Sequence, residues 1–575
     1  MSSLGHQLAT SVLVVGTGGA GLRAAIEVAE AGVAVIAVIK RAADDARTVA
    51  SGGISGAPAF TDPADTWEQH AADTLQESYL LADPRTALVV ARYAAQGFHD
   101  LARYGVRFDR QGGGRIAQRH FGAHTYRRTA FAGEYTGLDV QRALRERAHQ
   151  LGIPVLSSVY VTQLLVSDGT VFGAYGFDLV DGSRYLVHAD AVILATGGHT
   201  RIWRRTSSRR DENTGDALRL AVEAGARLRD PELVQFHPFG LIDPESAAGT
   251  LVSEAARGEG GTLLNNLGER FMTRYDPERM ELSSRDRVAL ASYTEIKEGR
   301  GTQAGGVWLD LSHLSHETVM TRLPTVHQAL LELQMLDVTR DPIEVAPTAH
   351  HSMGGVWVRP EDHSTDVNGL FVIGEAASGL HGANRLEENS LIELLVYGRI
   401  AGRAAAEYSA RLTDQQRSPG AVRAAEADVN RLLTADGDQN VRALQRSVRH
   451  LMTEHAGVVR DEAGLTAGLA GLDEIEARMA DVGVHIDIGG FQDLAYAFDL
   501  RSTVLAARAT LECALERRET RGCHNRSDYP ELDPELKVNL VWSPETGVRR
   551  EPVPPIPTHI AELMRDVSAD DKLFE

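Results

Sequence analysis

The N-terminal part of the chain joins two apolar runs through an amphipathic segment. From Ser11 it reads SVLVVGTGGAGLRAAIEVAEAG and then continues as VAVIAVIK. A β-type run, a glycine turn, an alanine-rich helix and a second β-type run form one βαβ unit, because neighbouring parallel strands need a crossover connection. The pattern predicts an α/β domain with a parallel sheet.

Two later apolar runs also end in glycine. The run AVILA at 191–195 leads into Thr196-Gly197-Gly198, and GLFVI at 369–373 leads into Gly374-Glu375. The three transitions from strand to glycine lie far apart in the chain. We therefore expect one discontinuous sheet with other segments inserted between its strands.

The remaining segments differ in their periodicity. Short helices, charged turns and isolated strands alternate between Phe236 and His350, which indicates an inserted second domain. Helical periodicity dominates from about Pro419 to Leu515 and predicts a helical bundle, whereas four prolines between 552 and 557 predict an extended end. We divide the chain into a sheet domain of 1–236 and 351–418, an inserted domain of 237–350, a helical domain of 419–543 and an extended tail of 544–575.

Composition narrows the classes of protein. The chain has 575 residues, of which 43% are hydrophobic and 24% are charged, so it can form several folded domains. Its net charge of −20 argues against nucleic acid or an anionic membrane as the main partner. Cys513 and Cys523 are too few for a disulfide scaffold or for an iron–sulfur cluster held by this chain alone. The sequence shows neither a secretory signal nor the ~20 apolar residues of a membrane span, so we expect a cytoplasmic protein without direct membrane insertion.

The first glycine turn has the spacing of a dinucleotide site. Gly16-Thr17-Gly18-Gly19-Ala20-Gly21 fits G-x-G-x-x-G between a strand and a helix. Glycines at this spacing permit the tight turn and let the backbone approach a pyrophosphate at the helix N-terminus. Lys40 stands near the end of the second strand, where an acidic ribose contact is usual, and Glu375 after the third strand is the alternative for that contact.

A second set of residues combines cationic and neutral hydrogen-bond donors around one glutamate. The set is His237, Ser253, Glu254, Arg257, Arg285, His350 and Arg385. Each residue has a structural alternative when taken singly: Glu254 and Arg257 fit an ordinary pair on a helix face, and Arg285 with Asp286 fits a solvated ion pair. Together they form the type of set that binds a small dicarboxylate, since arginine can bind a carboxylate through two N–H groups.

We predict no metal site. His350 and His351 are adjacent in sequence, and neither a cysteine nor a cluster of carboxylates accompanies them at ligand spacing.

A colinear series of motifs from about Ser11 to about Trp542 resembles the flavoprotein subunit of the succinate dehydrogenase and fumarate reductase family. L-aspartate oxidases belong to the same superfamily. The series includes GTGGAG, ASGGIS, ATGG, QFHP, SEAARGEGG, PTAHHSMGG, GLFVIGEAA and HGANRLEENSL. The resemblance implies an oxidoreductase with FAD in a discontinuous Rossmann-like domain, an inserted α+β capping domain and a helical domain behind.

The resemblance also implies roles for single residues. The positions that grip the substrate carboxylates match His237, Ser253, His350 and Arg385, and Phe121 matches an apolar residue beside the substrate. The proton donor matches Arg285, which is supplied through Glu254 and Arg257. The implied contacts to FAD are Gly16, Gly18, Gly19, Ala20, Gly21, Lys40, Ser51, Gly52, Gly53, Thr196, Gly197, Gly198, Asp216, Glu375, Asn384, Arg385, Ser390 and Leu391. In this family fumarate and succinate are interconverted by hydride transfer at flavin N5 with proton transfer from the arginine.

The sequence departs from the family pattern at three positions. Membrane-bound members attach FAD to a histidine where Ala46 stands here, so we expect non-covalent FAD and chemistry that favours fumarate reduction or an oxidase reaction. Phe239 replaces the threonine that usually follows QFHP, and Ser253 is the hydroxyl residue before Glu254. These two changes leave the exact dicarboxylate open.

Phe121 bears on the substrate. Aspartate oxidases carry a carboxylate there, which can pair with the substrate ammonium, and an unpaired buried ammonium is costly. Phe121 therefore favours an unsubstituted C4-dicarboxylate. Aspartate oxidases also lack the covalent histidine, however, so L-aspartate oxidation to iminosuccinate is the alternative activity.

A non-catalytic flavin-binding docking subunit is the alternative of another class. The seven positions of the carboxylate-binding set all have workable residue types, which favours an enzyme. The resemblance implies an enzyme that either works alone or takes electrons from an iron–sulfur subunit in electron transport. Any peripheral contact with a membrane would be made through that partner.

Overall fold

The computed structural model describes residues 5–41, 52–58, 60–120, 122–133, 136–486 and 489–564. Within these ranges the strands are β1 (His6–Val15), β2 (Val35–Val38), β3 (Ile54–Ser55), β4 (Gln118–Arg119), β5 (Thr129–Ala130), β6 (Val155–Leu156), β7 (Val159–Ser167), β8 (Thr170–Asp178), β9 (Arg184–Leu194), β10 (Leu228–Arg229), β11 (Val234–Leu241), β12 (Thr262–Leu264), β13 (Val307–Asp310), β14 (Ile343–Ser352), β15 (Gly355–Val356), β16 (Leu370–Val372), β17 (Gln439–Asn440), β18 (Val459–Arg460), β19 (Val482–Gly483), β20 (Asn525–Arg526), β21 (Val538–Ser543) and β22 (Gly547–Pro552). The α-helices are α1 (Gly19–Glu30), α2 (Trp67–Glu77), α3 (Pro84–Arg103), α4 (Thr136–Gln150), α5 (Asp216–Glu223), α6 (Ala255–Gly258), α7 (Met272–Tyr275), α8 (Arg285–Lys297), α9 (His316–Arg322), α10 (Pro324–Gln334), α11 (Asn389–Arg411), α12 (Pro419–Leu433), α13 (Val441–His455), α14 (Glu462–Met479), α15 (Gln492–Glu516) and α16 (Thr558–Ala561).

One discontinuous sheet forms the centre of the molecule. Its strand order is β6-β2-β1-β9-β8-β7, and β16 also pairs with β9. β1, β2, β9 and β16 are parallel neighbours, so the predicted α/β sheet that brings three distant glycine turns together is confirmed. β1 begins at His6, before the apolar run, because residues 6–10 pair with the first half of β9.

The two faces of the sheet belong to different cores. Val12 and Val14 of β1 pack with α1, α3 and α11, whereas Leu13 and Val15 face the core that the helical domain shares. Successive side chains of a strand point to opposite faces, so one apolar strand contributes to both cores. The sheet is therefore buried on both sides, as the continuous apolar run VLVV indicates.

A smaller antiparallel sheet of order β11-β14-β13-β12 forms the cap together with α8, α9 and α10. Phe236 and Ala349 belong to the central core, while Phe239 and Val345 belong to the core of the cap. The paired strands β11 and β14 thus run from one domain into the other. The boundaries that we placed at 236/237 and 350/351 fall inside these two strands.

The helical domain consists of α12 to α15, of which α13, α14 and α15 pack against one another. β21 leaves this domain and pairs with β10 of the sheet domain and with β22. Among the residues that the structure describes, no helix is long and apolar enough to span a bilayer.

The C-terminal segment differs from the extended tail that the prolines predict. Residues 547–552 form β22 and pair with β21 along their whole length. Ile560 of α16 is fully buried in the core of the sheet domain. Long-range pairing and burial override the local preference of the proline-rich sequence, while residues 565–575 lie outside the described part of the chain.

Candidate active site

A cavity of about 1250 Å³ opens between the carboxyl ends of the parallel strands and the cap. The turns after β1, β2, β9 and β16 line one side of it, and residues of β11, β14 and α10 line the other. The carboxyl ends of parallel strands are where α/β sheets bind ligands. The three glycine turns of the sequence therefore meet at one cavity.

The turn between β1 and α1 is too tight for side chains. Gly16 has a φ of +106°, and a Cβ at this position would lie 2.2 Å from the carbonyl oxygen of Ala195. A Cβ at Gly21 would lie 1.9 Å from the carbonyl oxygen of Gly16. In contrast, a Cβ at Gly18 would meet no atom within 4 Å. Gly16 and Gly21 close the turn, and Gly18 leaves open the side that faces the cavity.

Most of the predicted cofactor residues line the cavity. They are Gly16, Gly18, Gly19, Ala20, Lys40, Gly52, Thr196, Gly197, Asp216, Glu375, Arg385, Ser390 and Leu391. Gly21, Gly53, Gly198 and Asn384 lie behind this lining. Ser51, Phe121 and Ala46 lie outside the described residues, so the predictions made for them stay predictions.

Two carboxylates near the glycine turns are held by polar partners. Lys40 Nζ lies 2.8 Å from a carboxylate oxygen of Asp216. Glu375 accepts hydrogen bonds from the Ser352 backbone N–H at 3.0 Å and from Asn213 Nδ2 at 3.2 Å. Burial nevertheless raises the pKa of Glu375 to about 7.

Glu254 is the centre of an ion-pair network at the border of the cap. One carboxylate oxygen accepts hydrogen bonds from Arg285 Nε at 2.9 Å and from His237 Nε2 at 2.8 Å, and the other accepts from Arg257 Nε. Burial would raise the pKa of Glu254, but Arg257, Arg285 and His237 hold it well below its usual range. Burial likewise opposes the charged form of Arg285, but Glu254, Glu387 and Glu388 outweigh it and raise the Arg285 pKa.

The two histidines are neutral. Burial lowers the pKa of His237 to about 4 and that of His350 well below its usual value. His237 Nδ1 accepts the Phe239 backbone N–H at 3.2 Å, so its proton is on Nε2, which donates to Glu254. His350 Nδ1 lies 2.9 Å from Ser207 Oγ. The imidazole rings of His237 and His350 pack edge to face, with their centroids 5.3 Å apart.

Gln235 joins the two arginines of the predicted set. Its Oε1 accepts a hydrogen bond from Arg385 Nη2 at 3.0 Å and lies 3.5 Å from Arg285 Nη1. Its Nε2 donates to Asn384 Oδ1 at 2.8 Å. Burial and the nearby Arg285 lower the pKa of Arg385 to about 10, which still leaves it cationic near neutral pH.

Family matches cover most of the chain. Residues 11–391 match the FAD binding domain, and residues 445–559 match the fumarate reductase flavoprotein C-terminal domain. The chain belongs to the fumarate reductase and succinate dehydrogenase flavoproteins. It is therefore an FAD-dependent oxidoreductase of that family.

Individual flavoproteins of this family are similar over nearly their whole length. The fumarate reductase (CoM/CoB) of Methanothermobacter marburgensis contains a subunit that is 40% identical over 533 residues, which cover 92% of this chain and 96% of the relative. The 8-methylmenaquinol:fumarate reductase flavoprotein subunit of Wolinella succinogenes is 36% identical and covers 93% and 89% of the two chains. The solved structure of Mycobacterium smegmatis Sdh1 in complex with UQ1 superimposes with a TM-score of 0.88 at 35% identity and covers 98% and 99%.

The cavity of this flavoprotein fits FAD. The glycine turn provides a cradle that a Cβ would fill. Thr196 Oγ1, His351 Nε2 and Arg385 Nε are buried and lack a hydrogen-bond partner within the described part of the chain. Because buried polar atoms are usually paired, a polar ligand in the cavity would supply the partners that these groups lack.

The sequence alone missed several residues that shape the flavoprotein site. Gln235, Ser207 and Asn213 hold Arg385, His350 and Glu375. Gln235 is the first residue of the QFHP motif, so the motif could have indicated it as a site residue. Ser207 and Asn213 lie in a loop whose sequence gives no periodic signal.

One group of buried side chains has metal-ligand types that the sequence spacing did not indicate. Ligand atoms of His351, His381 and Glu393 lie within 4.8 Å of one another. Glu393 already accepts a hydrogen bond from His381 at 2.9 Å, and burial, Arg385 and His381 lower the pKa of His351. A cationic guanidinium this close disfavours a second cation, so we assign no metal to the group.

Proposed function

We propose that this chain is a catalytic flavoprotein that interconverts fumarate, or a close C4-dicarboxylate, and succinate, with fumarate reduction as the favoured direction. One observation carries the proposal. Arg285 and Arg385 converge on Gln235 Oε1, and both line the same cavity as His237 and His350. Two guanidinium groups and the neutral imidazole of His350 provide hydrogen-bond donors for two carboxylates.

Arg385, His350 and Ser253 hold the substrate carboxylates in this proposal, while His237 lines the same cavity and gives its one N–H to Glu254. Arg385 has a buried Nε without a partner among the described residues, so a carboxylate would supply the missing acceptor. Ser253 Oγ accepts the Ala255 backbone N–H at 3.3 Å, which leaves its own proton for the substrate. Holding both ends of a small dicarboxylate fixes the position of the double bond between them.

Arg285 is the proton donor in the proposal. Glu254 holds its Nε at 2.9 Å, which fixes the guanidinium at one edge and leaves its terminal nitrogens at the cavity. The surrounding carboxylates keep Arg285 protonated before each turnover. A guanidinium is a weak acid, but a carbanion-like substrate carbon is a much stronger base, so transfer is favourable in a dry and oriented site. Glu254 and Arg257 then return a proton to Arg285.

The turn of Gly16, Gly18 and Ala20 would hold the pyrophosphate of FAD, and Glu375 would contact its ribose. When bound, FAD supplies hydride transfer at flavin N5. We infer that the attachment is non-covalent because Ala46 stands where the covalent histidine of other members occurs.

An iron–sulfur subunit is the electron partner that we propose. The named relatives of this chain are subunits, and its own cysteines, Cys513 and Cys523, are buried apart from each other. Such a partner would also make any peripheral contact between this cytoplasmic chain and a membrane.

The test uses the purified FAD-loaded chain with a reduced viologen dye under argon. We expect rapid dye oxidation on addition of fumarate and none with L-aspartate. Anaerobic bleaching of the oxidised flavin by L-aspartate would instead identify an aspartate oxidase. Absence of turnover, together with a flavin spectrum that millimolar fumarate does not perturb, would favour a docking role.

A further inference from the structure

Two adjacent glutamates, Glu387 and Glu388, follow the arginine of the HGANR motif, and neither belongs to the predicted site. Glu387 is 5% exposed. Its Oε1 accepts a hydrogen bond from Arg257 Nη2 at 2.7 Å and lies 3.4 Å from Arg285 Nε. Burying a carboxylate is costly because it loses its hydration. The position of Glu387 between two arginines of the site therefore indicates a role there.

Glu387 extends a hydrogen-bonded chain that begins at Arg285. Arg285 Nε donates to one oxygen of Glu254, and Arg257 Nε donates to the other. The Nη1 group of Arg257 is fixed by the backbone carbonyls of Glu281 and Ser283 at 2.9 and 2.6 Å. Arg257 therefore presents Nη2 to Glu387, and cations and carboxylates alternate without a break from Arg285 to Glu387.

The Glu387 carboxylate lies beside a partly exposed loop. Its carboxylate rests against Gly122, where a Cβ would lie 3.6 Å from Oε1 and 3.8 Å from Oε2, and Gly122 is partly exposed. The Glu387 carbonyl oxygen accepts hydrogen bonds from His124 Nε2 at 2.9 Å and from Ser55 Oγ at 3.1 Å. These bonds anchor the backbone from the inside and leave the carboxylate between Arg257 and the partly exposed loop.

Glu388, its neighbour, lies on the other side. It lines the cavity, and its Oε1 is 4.0 Å from Arg285 Nη2. A ligand in the cavity would cover Glu388, whereas Glu387 is outside the cavity lining and borders Gly122.

We propose that Glu387 takes protons from solvent and passes them to Arg257, and so resupplies Arg285. The proposal rests on the function proposed above, in which Arg285 gives a proton to a substrate carbon. Arg257 gives a proton to the Glu254 carboxylate, which passes it on to Arg285. Glu387 takes a proton from solvent and gives it to Arg257. Each O–H or N–H bond that breaks is matched by one that forms. The net change along the chain is one proton moved from solvent to substrate, without electron transfer.

The experiment compares kcat for fumarate reduction in the wild-type holoenzyme and in Glu387→Gln. The amide keeps an oxygen acceptor for Arg257 but cannot carry a proton. We expect kcat to fall at least about 10-fold and its solvent isotope effect to rise, because proton resupply becomes rate-limiting. The KM for fumarate and the Kd of succinate, followed by flavin absorbance, stay within about 3-fold of wild type because substrate contacts are intact.

Two further variants separate proton transfer from structure. Glu387→Asp retains an ionisable group and should recover part of the lost rate. Glu295→Gln removes a buried carboxylate that Arg274 and Arg300 hold within the cap, and should keep the wild-type kcat.

Three outcomes would overturn the proposal: a Glu387→Gln kcat within about 3-fold of wild type, an unchanged isotope effect, or equal losses in Gln and Asp. If the wild-type enzyme showed no turnover with fumarate, the proposed function itself would be overturned. The same assay distinguishes that result, because it measures the wild type as well as the variants.

Discussion

Glu254 sets the charge balance of the site at the scale of single residues. It accepts hydrogen bonds from His237, Arg257 and Arg285, so its negative charge is shared among three donors. The arginines remain charged and the histidines remain neutral, which gives a dicarboxylate both ionic and neutral partners.

The proposed role of Arg385 as a substrate anchor can be tested directly. Arg385→Ala should lower kcat/KM for fumarate at least about 100-fold, because a buried substrate carboxylate would lose its cationic partner. FAD should stay bound, since many other residues line its part of the cavity. Turnover with the viologen dye and the flavin-to-protein absorbance ratio provide the two measurements.

Arg385→Lys is the matched control for this substitution. It retains the charge but not the two-pronged geometry of a guanidinium, so its activity should be intermediate. An Arg385→Ala enzyme with activity within about 3-fold of wild type would refute the role of Arg385 as an anchor.

At the scale of secondary-structure elements, the pairing of β11 and β14 assembles the site. Phe236 is opposite Ala349 and His237 is opposite Thr348, so His237 and His350 are diagonal neighbours on paired strands. The register shifts between His237 and Gly240, where Pro238 provides no backbone N–H for the ladder. A β-bulge of this kind re-aims the adjacent side chain. This bulge lies where β11 and β14 pass from the central core to the core of the cap.

The turn from β1 to α1 gives a prediction at the same scale. Gly21→Ala should yield protein that retains less than about a tenth of the wild-type FAD, because a Cβ 1.9 Å from the Gly16 carbonyl oxygen must displace the turn. The flavin content after gel filtration is the measurement, with circular dichroism to show that the fold is retained.

Gly32→Ala provides the comparison for that variant. Gly32 follows α1 and has a φ of +76°, but a Cβ there would meet no atom within 4 Å. Alanine should cost about 1 kcal/mol of stability through backbone strain and leave the FAD content unchanged. Full FAD content in Gly21→Ala would contradict the steric argument.

At the scale of the whole molecule, the free energy of unfolding should depend on pH through Glu375. Its pKa is about 7 in the folded protein against 4.5 for the ordinary group. Between these values the folded state binds more protons than the unfolded state, so stability falls as pH rises from about 4.5 to 7. The loss from this group reaches up to about 3 kcal/mol above pH 7.

Glu375→Gln should remove that loss in FAD-free protein. Its midpoint of urea unfolding at pH 8 should exceed that of wild type, and the difference should vanish near pH 4.5. Glu361→Gln changes an exposed carboxylate and should leave the pH dependence as it is. A Glu375→Gln variant that loses stability equally at pH 5 and pH 8 would show that Glu375 does not titrate in this way.

The amino-acid sequence by itself determined the local and repeated features. The strand, glycine turn and helix after Ser11 are local, because the spacing of apolar residues and glycines fixes them without distant partners. The motifs around His237, Arg285 and Arg385 identified the family and most of the residues that meet at the cavity. Phe121, on which the choice of substrate depends, lies outside the described residues and stays a prediction.

Only the tertiary structure decided the contacts between distant segments. Glu387 meets Arg257 across 130 positions of sequence, and Gln235 meets Arg385 across 150. β22 is a strand because β21 pairs with it, although its sequence ends in a proline and further prolines follow. Such contacts depend on how sheets and cores bring segments together, and the residue types involved are equally compatible with a solvated surface. For that reason the motifs could name the residues proposed to bind a dicarboxylate, but not the contact between Glu387 and Arg257.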